Sequence, residues 1–352
     1  MNKNIPSFLK SAAVALALTA PAAAHAQQVF EVASLGDVSN HALSASIQNF
    51  VFDGGTLYVA LGGTNTGGGV WDGHQINRVT GIGGTPTVTT LMTSGDWGTG
   101  FFSPIHSFQR TGNFLQFGTT GAAAVIGIHR VNVNSGGLIT GFNSATILAN
   151  VPETGLGFLG AGVTDANGEF IFANSNGGNR ALYQTSWTSI NRLLDQDDLG
   201  IIFEGATNQT VNALTLVGDT LFLGSNNANL IATYNLATSA SATVLDTATL
   251  TGVLGGTGVT LQRMFYAPDG RVYFSTNNRQ IASFDPAEPA SSLQVDLITG
   301  DTPAWNVQAL GWYDGYIAFA TTSGIYAIPE PRVYAALFGL FALGLVLYRR
   351  RR

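Results

Sequence analysis

The sequence predicts an all-β protein: a β-propeller of six four-stranded blades, with seven as the alternative, followed by a single C-terminal transmembrane helix. Three observations point there. Six segments share one pattern, an apolar strand, a turn built on Gly, Asp or Asn, and a second apolar strand. Their first residues, 47, 105, 159, 211, 261 and 307, lie 58, 54, 52, 50 and 46 apart, a period that suits one blade with its loops. The composition agrees, with 44 glycines, 45% hydrophobic and only 10% charged residues. That balance favours strands and tight turns, since helical surfaces are usually built from Lys, Glu, Arg and Ala.

The first element in the chain is not part of the fold. Lys3 and Lys10 supply a positive n-region, Ser11 to Ala20 an apolar core, and Ala24-His25-Ala26 a small-x-small site. Residues 1–26 therefore read as a signal peptide, handled by the secretion translocase and cut by signal peptidase before Gln27. The apolar run is too short to span a bilayer.

The propeller domain is expected over 27–328. Its six copies are Ile47 to Ala60, Ile105 to Gly118, Leu159 to Ala173, Val211 to Gly224, Leu261 to Ser275 and Val307 to Ala320. Asp53-Gly54, Gly112-Asn113, Asn167-Gly168, Gly218-Asp219, Asp269-Gly270 and Asp314-Gly315 supply the positive φ of tight hairpins. Third strands follow at Gln75 to Val79, Ile126 to Val131, Leu230 to Leu236 and Gln280 to Asp285. The last copy has only Gly324 to Ile328 after its hairpin, so its fourth strand is expected from Val29 to Leu35, closing the ring. Leu193 to Asp198 reads as a short helical turn in a loop.

The second residues of the copies are Gln48, His106, Gly160, Asn212, Gln262 and Gln308. All but the glycine carry hydrogen-bonding side chains between apolar neighbours, and an innermost strand would set them around the central channel. There they would satisfy backbone groups or channel water, with a ligand site as the sharper reading.

The chain ends in a second address, 329–352. Pro329-Glu330-Pro331 breaks regular structure, Val333 to Tyr348 is an unbroken apolar run, and Arg349, Arg350, Arg351 and Arg352 close it. As a helix the run at 333–348 reaches about 24 Å, near enough to a bilayer core for snorkelling arginines to complete the span. The arginines should stay cytoplasmic, leaving the preceding domain outside. These residues resemble the PEP-CTERM sorting signal of Gram-negative bacteria. That resemblance implies a transient inner-membrane anchor, exosortase as a partner, and delivery to the cell surface or to a biofilm matrix. Arg332 departs from the small or polar residue expected after the motif, so the cut position stays open. Similar tails occur on some ice-binding proteins, and a sorting tail transfers no activity to the body.

Charge and motif searches bound the chemistry. Between Gln27 and Pro329 there are eight arginines, no lysine and twenty carboxylates, a net charge of −12 that would repel nucleic acid. The absence of cysteine excludes disulfides, thiolate metal sites and thiol catalysis. No Gly-x-Ser-x-Gly or His-Glu-x-x-His string occurs, and a P-loop needs a lysine the body lacks. Gly155 to Gly160 fits a dinucleotide string without its strand–turn–helix context. His41, His74, His106 and His129 show no metal spacing. No cofactor is expected, with calcium as the one exception to weigh. Asp195, Asp197 and Asp198 are candidates for it, as are Asp165, Asn167 and Glu169, and neither set supplies a full ligand shell. Trp71 and Trp97 sit in Gly-rich loops where an aromatic ring could face a sugar, whereas Trp312 lies in a strand.

The expected function is a non-catalytic surface or matrix protein that binds polysaccharide or another surface protein. The alternative is a propeller hydrolase or lyase acting on extracellular glycans or esters, for which acid/base pairs would cluster at one mouth of the channel.

Overall fold

The computed structural model of the chain describes residues 29–329 apart from 68–69, 94–95, 97–104, 120–126, 135–137, 144–158, 175–179, 206–208, 226–227, 257–258 and 299–305. The leader with Ala24 and Ala26, and the tail from Glu330 through the 333–348 run to Arg352, lie outside the described residues.

Six four-stranded antiparallel sheets make the fold, and each sequence copy forms the first two strands of one of them. Blade 1 holds Ser46–Asp53, Thr56–Gly62, Gln75–Thr80 and Thr87–Thr93. Blade 2 holds Ile105–Thr111, Phe114–Thr119, Gly127–Asn132 and Leu138–Asn143, and blade 3 Leu159–Thr164, Phe170–Asn174, Ala181–Thr185 and Ile190–Leu194. Blade 4 holds Val211–Val217, Thr220–Ser225, Ile231–Asn235 and Ser241–Leu245, and blade 5 Leu261–Tyr266, Val272–Thr276, Gln280–Phe284 and Gln294–Ile298. Blade 6 takes Ala309–Tyr313, Tyr316–Ala320 and Gly324–Pro329 from the end of the chain and Phe30–Ser34 from its beginning.

The turns follow from local chemistry. Gly54, Gly112, Gly168, Gly218, Gly270 and Gly315 all adopt positive φ, between 56° and 85°, at the first hairpin of their blades. Asp314 and Gly315 are both at positive φ, the mirror-image two-residue turn that matches strand twist, whereas Gly168 and Gly270 donate to the carbonyl three residues back and close a longer turn in the left-handed conformation glycine tolerates.

Burial explains the runs of apolar residues in the second and third strands. Phe170–Asn174, Val272–Thr276 and Gln280–Phe284 are buried along their whole length, because neighbouring blades cover both faces. Outer strands such as Ser241–Leu245 expose their first residues. The core accordingly divides into clusters between blades. Ile171 and Leu214 belong to the one between blades 3 and 4, and Phe222 and Phe284 to the one between blades 4 and 5.

The ring closes where Phe30, Glu31, Ala33 and Ser34 pair with Ala327, Tyr326, Ile325 and Gly324. Ala33 there joins a cluster with Ile47, Leu57 and Ile325, so blade 6 packs on blade 1 through a strand from the far end of the chain. The first strands of successive blades contact one another around the axis, including the last with the first.

Two features go beyond the sequence reading. A small hairpin, Thr64–Gly67 with Val70–Asp72, is inserted between the second and third strands of blade 1. Among the described residues, four short helices follow outer or third strands: α1 (Leu35–Val38), α2 (Gln196–Ile202), α3 (Thr247–Leu254) and α4 (Pro289–Ser292). The helical turn expected at Leu193 to Asp198 is the start of α2, shifted along the chain because Leu194 still belongs to the outer strand of blade 3.

Blade 2 buries a neutral histidine. His129 stacks beside Phe117, its Nε2 lies 3.0 Å from Thr119 Oγ1, and its Nδ1 has no hydrogen-bond partner. Burial lowers its pKa from the ordinary 6.5 to about 4. The unfolded chain therefore binds a proton near pH 6.5 that the native fold refuses. Stability linked to this group is fully present above pH 6.5 and is lost as pH falls towards about 4. We expect His129→Gln to flatten the acid limb by roughly 2–3 kcal/mol, read from urea midpoints between pH 7 and pH 4. Parallel limbs for wild type and variant would contradict this.

Candidate functional site

The innermost strands of five blades carry a β-bulge near their first residue. The register shifts between Ile47 and Asn49, Ile105 and Ser107, Leu159 and Gly162, Val211 and Ala213, and Leu261 and Arg263. In blade 6 the Gln308 N–H donates to the Ala320 carbonyl, while Ala309 is the ladder partner of Ala320. The polar second residues of the copies are thus the extra residues of bulges, which re-aim side chains and change which positions face the axis.

The predicted residues separate accordingly. Gln48 accepts the Ile105 N–H on its Oε1 at 3.0 Å, tying blade 1 to blade 2. Asn212 lines the axial cavity. Gln262 and Gln308 offer their backbone carbonyls to Arg263. The His106 side chain lies outside the described residues, although its backbone is in the blade 2 strand.

The cavity is formed by innermost strands of all six blades, encloses about 50 Å³ and opens to solvent. Its polar lining consists of Asn49, Ser107, Gln109, Asn212 and Arg263, with Phe108, Leu214, Met264, Phe265 and Leu310 as apolar wall. Most of these side chains sit one to three positions beyond the bulge residue. Among the described residues, no Asp, Glu or His lines the cavity.

Arg263 is the one charged group in that lining among the described residues. Its Nε donates to the Gln308 carbonyl at 2.6 Å and its Nη1 to the Gln262 carbonyl at 2.8 Å, so it bridges blades 5 and 6. Arg110 pairs with Asp53 and His41 Nε2 lies 3.6 Å from Asp72, and neither contact involves Arg263. Protein surrounds the guanidinium closely, while part of the side chain still borders the open cavity. That desolvation lowers its pKa to about 10, which leaves it charged at neutral pH.

The acidic candidates for calcium have other work. Asp195 is the N-cap of α2: its side chain accepts the Asp197 and Asp198 N–H groups at 3.0 Å each. Asp198 accepts the Asp195 N–H in return at 3.0 Å, completing a capping box. The backbone hydrogen bond from Asp198 is the largest cause holding the Asp195 pKa below its ordinary value. In the other set, Asp165 Oδ1 accepts the Asn167 and Glu169 N–H groups. Gln184 Nε2 donates to the Asp165 and Glu169 carboxylates, at 3.1 Å and 2.7 Å. Among the described residues, no group of three or more His, Asp or Glu is arranged to hold a metal ion.

The tryptophans divide as well. Trp312 is partly buried against the blade 5–6 cluster, and Trp187 is 9% exposed with its Nε1 donating to the Gly168 carbonyl. Trp97 and the Trp71 side chain lie outside the described residues. Among the described residues, no helix is long and apolar enough to cross a membrane.

No family model matches the chain, and no curated protein does. Among solved structures, the extracellular domain of a hybrid two-component system from B. thetaiotaomicron superposes with a TM-score of 0.52 at 11% identity, over 86% of this chain and 40% of that one. The chain thus spans well under half of that neighbour's length. The WD40 β-propeller domain of Doa1 superposes at 0.50 and 11% identity, over 86% of this chain and 97% of that domain. At such identities the likeness shows the fold alone, a β-propeller.

Proposed function

We propose that this chain is an exported binding propeller, delivered to the cell surface or extracellular matrix through its C-terminal sorting signal. The observation that carries the binding reading is the axial cavity: amides, one hydroxyl and one guanidinium converge there without a described carboxylate or imidazole to move protons. General acid–base hydrolysis draws on such groups within reach of the scissile bond. Delivery rests on residues 1–26 and on Pro329-Glu330-Pro331, the 333–348 run and the terminal arginines. Polysaccharide or another surface protein would be the partner, met by the loops around one mouth of the ring.

The full chain expressed in a Gram-negative host, with and without exosortase, tests delivery. Mass spectrometry should find Gln27 as the first residue and, only where exosortase is present, loss of the arginine-ended tail. A cytoplasmic chain keeping residues 1–26 overturns export, and a tail retained in both hosts overturns sorting. Glycan-array binding without turnover supports the binding reading; release of reducing ends or acyl groups would replace it with the hydrolase or lyase.

A further inference from the structure

We infer that the axial cavity is a site for a small carboxylate, with Arg263 as its charged anchor and the amides of Asn212 and Gln109 beside it. This inference goes beyond the proposed function and does not depend on where the protein is delivered.

The body carries −12 overall, yet this guanidinium stands in the centre of the ring with no carboxylate paired to it among the described residues. Burying a cation is costly unless something compensates its charge. The Gln262 and Gln308 carbonyls supply dipoles, not a counter-charge. They occupy two of the five N–H donors of an arginine, leaving about three for a ligand.

The remaining lining is biased towards donors. Ser107 Oγ already accepts the Gly118 N–H at 3.2 Å, which frees its own proton to be given away. Asn49 Oδ1 already accepts the Phe50 N–H at 2.9 Å, leaving its amide N–H groups as the unspent side. Asn212 and Gln109 can each present N–H groups to an anion. With no described carboxylate in the wall, a cation would meet repulsion from Arg263. An anion would meet a guanidinium and the neutral donors of Asn49, Ser107, Gln109 and Asn212.

Size and shape select within anions. The enclosed space is small, about 50 Å³ and open to solvent, which suits the carboxylate group of a small acid or of one sugar acid whose ring rests at the opening. A planar carboxylate matches the planar guanidinium edge, where two parallel hydrogen bonds are stronger than a point contact. The apolar wall of Leu214, Met264 and Leu310 gives the carbon side of such a ligand a surface to rest on.

The test uses the purified full chain in detergent, in buffer of constant ionic strength, with acetate, galacturonate and neutral galactose as probes. A rise in thermal midpoint with acetate or galacturonate, and none with galactose, is the expected result. Acetate acting alone identifies a free small acid; galacturonate acting more tightly identifies a uronic acid. Arg263→Gln should weaken binding at least tenfold, and Asn212→Ala severalfold. Should Arg263→Gln fail to fold, Asn212→Asp serves instead: it places an anion in the same cavity and should abolish the response. No carboxylate response in wild type, or an equal response in these variants, overturns the site.

Discussion

A chain that starts at Leu35, and so lacks Phe30–Ser34, is expected to lose about 4–6 kcal/mol and to melt about 10 °C or more below the chain that starts at Gln27. The deletion removes the ladder from Phe30 to Ser34 against Gly324–Pro329, and it exposes that strand as a sheet edge. It also takes away Ala33, which is 3% exposed in the cluster that joins blade 6 to blade 1. The charge variant Ala33→Asp should act the same way without shortening the chain, because it buries an unpaired carboxylate among Ile47, Leu57 and Ile325. Adding a peptide of residues 29–38 in trans should recover part of the midpoint. Circular dichroism melts decide it, and a midpoint within about 2 °C of the full body would show that the closing strand contributes little.

The second large effect is expected at Gly162, in the innermost strand of blade 3. A Cβ there would stand 2.6 Å from Phe170 Cζ and 2.9 Å from Ser107 Cβ, closer than carbon atoms can approach. Phe170 cannot swing away: it is fully buried, stacked 6.1 Å from Phe172 and 6.3 Å from Trp187. Gly162→Val should therefore cost about 2–4 kcal/mol, and Gly162→Ala less, by forcing blades 2 and 3 apart near the axis. Gly200→Ala is the control. It lies in α2 with no atom within 4 Å of the added Cβ, so better helix propensity should stabilise the protein by up to about 1 kcal/mol. Equal midpoints for Gly162→Val and wild type in urea unfolding would defeat the crowding argument.

Much of this architecture is legible in the sequence because its causes are local. Gly54, Gly168 and Gly270 mark hairpins wherever they fall, since positive φ is a property of a residue and its immediate turn. Closure is legible as a strand deficit: the last repeat stops at its third strand, and the apolar run after the leader is left over. The capping role of Asp195 and Asp198 was also open to reading, because a three-residue spacing ahead of an apolar stretch is the signature of a capping box.

The cavity was another matter. Of the copies' second residues Asn212 lines the cavity, and the bulges bring the third residues Asn49 and Arg263 to the same wall, a shift that the copies' spacing alone does not reveal. One signal was present: at the third position of the other copies stand Asn49, Ser107, Ala161, Ala213 and Ala309, and only the blade 5 copy places an arginine there.

By itself, then, the order of residues determined the six repeats, their turns and the strand that completes the ring, because each depends on neighbours within one hairpin or on a count of strands. Only the tertiary structure decided what stands on the axis. Six strands drawn from distant parts of the chain converge there. Whether a guanidinium meets a counter-charge depends on which side chains those strands bring together, and no stretch of sequence contains that information.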